Sequence, residues 1–476
     1  MYELVIKGGR VALDDDWADC DIGIENGRIA ELNTSLVGRR VIDASQRWVM
    51  PGGIDSHCHL DQPAWGSALS ADDFLSGSVS AAFGGTTCII PFAMPGPGMS
   101  TLEAYDRAIA RAAGRSVIDY GLHGVITMTS ASKLEEQFAH LVREGVTSVK
   151  VFMIFEELRV DDDLFLGVLE TARKLGLVVM VHAENDAAIR RTSQRLIDLG
   201  RTDMRYHTVA HSEVMEREAT HRAVALAEIA GARLIVLHVS CLQSAEEITR
   251  GQQRGVDVGG ETCPQYLFLS AADLDQEAAK AARFIFSPPA RTPTSQEYLW
   301  RALASGEIDL WSSDHSPYRL SDKLPDPGNP AFHKAVSGIP GLETRLPLLF
   351  SEGLLTKRLS LVRYLDLTSR EAASLYGLSH TKGRIRVGLD ADLALWDPTA
   401  KWVLHHDILH SNVDYTPFEG RLVTGKPTTV LLRGAPIIVD EKLTALPGTG
   451  NFVQRRAADP IHFKRPIEEM TPWFDK

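Results

Sequence analysis

Residues 148–155 read SVKVFMIF, an apolar run broken by one basic side chain, Lys150. A run this dense in apolar residues, without polar alternation, is what a strand buried on both faces requires. The same kind of run recurs on either side of it. WVMPGGIDSH (48–57), TTCIIPFA (86–93) and IDYGLHGVI (118–126) come before it. LVVMVHAEN (177–185), RLIVLHVS (233–240), VDVGGETC (256–263) and IDLWSSDH (308–315) come after. Helical patterns such as SADDFLSGSVSAAFGG (70–85) and SKLEEQFAHLVREG (132–145) separate the runs. Eight strand-plus-helix units in succession predict a (β/α)8 TIM barrel. Periodicity alone leaves a doubly wound open sheet as the alternative.

The two ends of the chain have another rhythm. LVIKGGRVAL (4–13) and DIGIENGRIAEL (21–32) alternate in short strands with Asn-Gly and Lys-Gly turns, as do DADLALWDP (390–398) and TTVLLRGAPIIV (428–439). Such punctuation marks hairpins. Residues 1–50 and 384–445 are therefore expected to combine into one small β-sandwich beside a barrel of residues 51–383. The proline-bearing tail, 446–476, is expected to form an arm lying on this or another subunit.

Composition narrows the function. The chain has 476 residues, 44% hydrophobic and 24% charged, which is normal for a folded protein. A formal net charge of −12 argues against nucleic acid or an anionic membrane as partner. No apolar run reaches the ~20 residues that span a bilayer. The N-terminus, MYELVIKGGRVALDDDW, lacks the basic region and apolar core of a signal peptide. Five scattered cysteines without a CxxC motif fit a reducing cytoplasm.

In a barrel the chemistry sits at the C-terminal ends of the strands. There the first run ends in His57 and His59, which share one face because strand side chains alternate. The fourth contains Lys150, the fifth and sixth carry His182 and His238, and the eighth carries Asp314. One buried histidine is more often a satisfied core residue than a ligand, a lone lysine often snorkels, and Asp314 by itself could cap a turn. Six such residues on one barrel rim are a different matter, since each unpaired buried charge costs several kcal/mol in order of magnitude. A shared metal centre removes that cost. Lys150 is the odd member, because an ammonium binds no metal. If its amine combines with carbon dioxide, the resulting carbamate carries a negative charge and two oxygens. It can then bridge two ions about 3.5–4 Å apart.

These residues, with PGGIDSHCHLD (51–61), VKVFM (149–153), VHAEN (181–185), GETCPQYL (260–267), SSDHSPY (312–318) and HSNVDYTPFEG (410–420), resemble the cyclic amidohydrolases of the amidohydrolase superfamily. The similarity is greatest to dihydropyrimidinases and hydantoinases and runs over nearly the whole chain. It implies two divalent ions, usually zinc, N6-carboxylysine at Lys150, and often a homotetramer. His57, His59, Lys150 and Asp314 would hold one ion, and Lys150, His182 and His238 the other. A hydroxide bridging them would be the nucleophile and Asp314 the proton shuttle. Ser287, in SPP (287–289), matches the position whose main chain grips the cyclic amide.

Two positions depart from the family pattern. Phe155 stands where hydantoinases and dihydropyrimidinases usually carry a tyrosine that stabilises the oxyanion, and phenylalanine has no donor. Ser337 stands where an asparagine is usual, and its surroundings, AVSGIPGLETRLPLL (335–349), lean towards dihydroorotase or allantoinase relatives. Phe155 and Trp65 are candidates for an apolar pocket wall. Cys58 and Cys263 are expected to point away from the centre. The expected activity is hydrolysis of a cyclic amide, imide or ureide. The alternatives are allantoinase, cyclic imide hydrolase and dihydroorotase, the last using Arg291 to bind a carboxylate. A non-catalytic relative is disfavoured because the whole ligand set is present.

Overall fold

The computed structural model describes residues 1–63 and 68–458. Its barrel strands are Gly53–Asp55, Thr86–Ile89, Asp119–Tyr120 resuming at Gly124–Val125, Ser148–Phe152, Val178–His182, Leu234–Val236, Val258–Thr262 and Leu310–Trp311. Each pairs in parallel with the next in chain order. The ring closes between the eighth strand and the first. There the Asp314 N–H donates to the His57 carbonyl at 2.9 Å, and the His59 N–H to the His315 carbonyl at 2.8 Å. Closure rules out the open doubly wound sheet.

Local sequence explains the helices between strands. Helix Phe74–Phe83 starts at Asp73, whose carboxylate accepts from the Leu75 and Ser76 N–H groups and satisfies donors the helix leaves unpaired. Helix Asp162–Leu175 begins on Asp161, followed by two acidic residues in its first turn, and stops at left-handed Gly176. The apolar faces of these helices close over the outside of strands whose side chains are buried on both sides, such as Val149, Val151, Val179 and Val181.

Both chain ends build the small β-sandwich. One sheet of seven strands runs in the order Lys442–Leu443, Ala435–Val439, Leu422–Leu432, Leu393–Val403, Trp48–Pro51, Arg10–Ala12, Trp17–Asp19. The other has four, in the order Arg28–Asn33, Asp21–Glu25, Tyr2–Lys7, Gly38–Asp43. Ile6, Ile22, Val49, Leu393 and Leu431 pack between them. The run 48–57 is therefore not one strand: it divides at Gly52 between sandwich and barrel. Gly52 passes so near Thr87 that a Cβ would lie 2.1 Å from its Oγ1, so only glycine fits the crossing.

The described part of the C-terminal arm lies on its own barrel. Asn451 and Val453 bond both backbone groups of Tyr120, where the third strand breaks. Buried Arg455 reaches Ser148 and the Leu122 carbonyl through the same gap. Residues beyond 458 lie outside the described residues.

A lysine joins barrel to sandwich. Lys382 Nζ lies 2.6 Å from Asp392, 2.7 Å from Asp119 and 3.2 Å from Asp390. These three carboxylates group as a metal site would, but their cation is already part of the chain. Burial opposes the charge on Lys382, yet the carboxylates outweigh it and hold its pKa above the ordinary lysine value. Lys382→Met should leave buried Asp392 without a cationic partner, while Asp119 keeps Arg433, and cost about 3–5 kcal/mol of stability. Urea unfolding checks this, and a loss below about 1 kcal/mol would show that water replaces the lysine.

Candidate active site

The strand ends converge on one cavity of about 210 Å³. His59, Lys150, His182, His238 and Asp314 line it. His57 lies against them, with Nε2 3.0 Å from Asp314 Oδ1 and 3.4 Å from Lys150 Nζ. His59 Nε2 is 3.5 Å from the same Asp314 oxygen, and the rings of His182 and His238 are 4.3 Å apart. All six residues singled out in the sequence thus come together. His238 and Asp314 have φ of 39° and 48°, a left-handed backbone that the surrounding fold must hold.

Carboxylates behind the histidines fix their rings. His57 Nδ1 donates to Glu261 Oε1 at 2.5 Å, and Glu261 Oε2 accepts from Ser312 at 2.8 Å. This leaves Nε2 of His57 facing Asp314. His182 Nε2 is bonded at 2.7 Å to Glu184, whose other oxygen takes His211 at 2.8 Å. Glu184 and Glu261 are site residues that the strand-end pattern alone does not single out. Glu184 follows His182 by two residues and Glu261 stands at the end of the seventh strand, and an acidic residue in an apolar run is the signal that could have found them.

The charges are strongly perturbed. Burial lowers His57, but Glu261 and Asp314 outweigh it and raise the ring to about 9. Burial takes His59 down to about 3 and Lys150 to about 8, below the ordinary lysine value. Burial would raise Asp314, yet the neighbouring histidines hold it well below the ordinary carboxylate range. Lys150 Nζ sits 4.2 Å above the Phe92 ring and 4.5 Å from that of Phe152, with no carboxylate in an ion pair with it among the described residues. Both ring nitrogens of His238 and Nδ1 of His59 are buried without a hydrogen-bond partner.

The remaining candidates separate cleanly. Ser287 and Ser337 line the cavity, their hydroxyls 3.2 Å apart. Phe155 lines it too, at φ 70°, with its ring edge-on to His182 at 5.4 Å between centroids. Gln62 and Tyr318, not singled out from sequence, face the same space. Trp65 lies outside the described residues. Cys58 and Cys263 are buried in the apolar core and do not line the cavity. Arg291 does not reach it either. Its guanidinium is committed to Glu216, Ser240 and the His211 carbonyl, so the residue that a dihydroorotase reading needed is already paired.

The sequence profile of the amidohydrolase family matches residues 48–437. The chain belongs to the amidohydrolase family. It is 40% identical over 470 residues to a D-hydantoinase of Geobacillus stearothermophilus, covering 98% of this chain and 99% of the relative. The solved D-hydantoinase of Bacillus sp. AR9 matches it with a TM-score of 0.92 at 39% identity, over 96% of this chain and 100% of that one. The dihydropyrimidinase of Brevibacillus agri NCHU1002 matches with a TM-score of 0.93 at 37% identity, over 96% and 99%.

An amidohydrolase centre takes divalent metal, and this one fits it. His57, His59 and Asp314 bring one ligand atom each within 4.8 Å of one another, and His238, whose ring nitrogens are both without a hydrogen-bond partner, gains one when a cation is bound. In this amidohydrolase the carboxylates that stabilise charge on His57 would serve a cation equally well. Replacing Glu261→Ala should weaken divalent-ion affinity about 10–100-fold, because His57 loses the partner that orients it. Competition with a chelator measures this. An affinity within about twofold of wild type would mean that packing alone sets the ring.

Proposed function

We propose that this amidohydrolase opens cyclic amides of the hydantoin and dihydropyrimidine class by hydrolysing a ring C–N bond. The observation that carries the reading is the gathering of His57, His59, Lys150, His182, His238 and Asp314 around one cavity in a chain similar over its length to D-hydantoinase and dihydropyrimidinase. His57, His59 and Asp314 are assigned to one ion and His182 and His238 to the other, with Lys150, carboxylated by carbon dioxide, between them. Zinc is the metal that the resemblance favours. When bound, the two ions supply a Lewis-acid centre that activates water and polarises the scissile carbonyl.

The chain's own residues do the rest. Glu261 and Glu184 orient His57 and His182. Asp314 accepts the proton of the attacking water and returns it to the leaving ring nitrogen, acting as base and then acid. Ser287 and Ser337 hold the ring amide. Phe155, Phe152, Leu158, Met94 and Phe286 form an apolar wall that suits a ring bearing an apolar substituent. A tyrosine hydroxyl is missing at Phe155, and one lost oxyanion donor is worth about 10²–10³ in turnover if nothing replaces it. Aryl-substituted hydantoins and cyclic imides are therefore expected to outpace plain dihydrouracil. The resemblance also supports a homotetramer, and five free cysteines support a cytoplasmic setting.

Rates on dihydrouracil, hydantoin, an aryl hydantoin, allantoin and a cyclic imide test the substrate class. Wild type should open at least one of the cyclic amides, and Asp314→Asn should lose several orders of magnitude in turnover. No turnover of any member by metal-loaded enzyme would sink the reading, and a loss below about tenfold in Asp314→Asn would move the proton to another group. Metal analysis is the independent check on Lys150. Two ions per chain are expected in wild type and far fewer in Lys150→Ala, with partial recovery of activity on adding a short carboxylic acid. Full occupancy in Lys150→Ala would rule out the carbamate bridge.

A further inference from the structure

Lys323 lies beyond the eighth strand and is wholly buried, yet it forms no ion pair with a carboxylate among the described residues. Burial lowers its pKa to about 7, but its nitrogen lies within hydrogen-bond reach of three backbone carbonyls, which together call for the three hydrogens of an ammonium: Ile285 at 2.6 Å, Gly338 at 2.6 Å and Val336 at 3.0 Å. All three ammonium hydrogens are thereby used. The acceptors belong to two segments far apart in the chain. One leads into Ser287 and the other flanks Ser337, and both serines line the catalytic cavity. The Gly338 N–H crosses to the Ile285 carbonyl at 3.1 Å, so the segments also bond directly. Gly338, at φ 137°, sits so tightly on Ser316 that a Cβ would come within 2.7 Å.

Peptide geometry gives this arrangement a direction. In a trans peptide the C=O and N–H point opposite ways. The Val336 carbonyl faces the ammonium, so the Ser337 N–H points away from it. A positive charge against the carbonyl polarises that peptide and strengthens the N–H as a donor. Neutral packing would join the two segments without this effect.

We propose that Lys323 is a positioning residue that locks residues 285–287 and 336–338 into one wall and aims the Ser337 N–H at the ring amide of the substrate. This rests on the reading that Ser287 and Ser337 face the substrate.

The test uses the metal-loaded full chain, with dihydrouracil and an aryl hydantoin as probes. Lys323→Met keeps the aliphatic stem and removes the donors. KM should rise about tenfold to a hundredfold, the scale of one charge-assisted hydrogen bond, with kcat within about threefold and metal content unchanged. Hydrogen exchange should quicken in peptides covering 284–288 and 335–339 and not in the barrel strands. Lys323→Gln, which keeps amide donors without the charge, should recover part of the KM. Ser337→Pro deletes the N–H itself and should raise KM with Lys323 intact. An unchanged KM in Ser337→Pro overturns the substrate-facing wall and the proposal with it. A raised KM there, with wild-type KM in folded Lys323→Met, overturns the role of Lys323 alone. Failure of both Lys323 variants to fold also overturns it, because a residue confined to one pocket wall is dispensable to the barrel.

Discussion

Two backbone hydrogen bonds, Asp314 N–H to His57 O and His59 N–H to His315 O, close the barrel and assemble its chemistry at once. They join the last strand to the first at His57, His59 and Asp314, whose side chains meet at the centre, and at His315. Without them the eighth strand would be a free edge, and Asp314 would not stand within 3.0 Å of His57. The barrel cannot close in another register without moving Asp314 to the wrong face, because a one-residue slip reverses every side chain. Closure and site geometry are therefore one constraint.

Buried charge is the second organising problem, and three lysines meet it in three ways. Lys382 takes three carboxylates and ties the sandwich to the barrel. Lys323 takes three main-chain carbonyls and ties two loops together. Lys150 has aromatic faces and a histidine nitrogen and no carboxylate in an ion pair with it among the described residues. That difference supports the proposed carboxylation of Lys150, whereas the other two have a full set of acceptors. The histidines divide in the same way. His57 and His182 are held by carboxylates, while His238 has no protein partner for either ring nitrogen.

Read one residue at a time, the sequence already contains the barrel and the six inward-facing polar residues. Strand burial and strand-end position are local properties, written in apolar density and period-two spacing. The run 48–57 misled because its apolar density does not show that it crosses between two sheets at Gly52. The resemblance named the ligand types and exposed Phe155 as a departure. It did not reveal that Tyr318 and Gln62 face the same cavity from the loops beyond the eighth and first strands.

What the sequence by itself determined is which side chains reach the mouth of the barrel and that their chemistry is that of metal-dependent hydrolysis. Only the tertiary structure decided how those side chains are held. His57 and its orienting Glu261 are separated by 204 residues, and Arg291, plausible from sequence as a carboxylate binder, is committed to Glu216, 75 residues away. Local pattern carries no record of such pairs, because the same carboxylate or guanidinium could be solvated, capped or paired. Which of these happens is settled only when closure of the ring removes water and leaves each buried charge with the partners the fold has brought beside it.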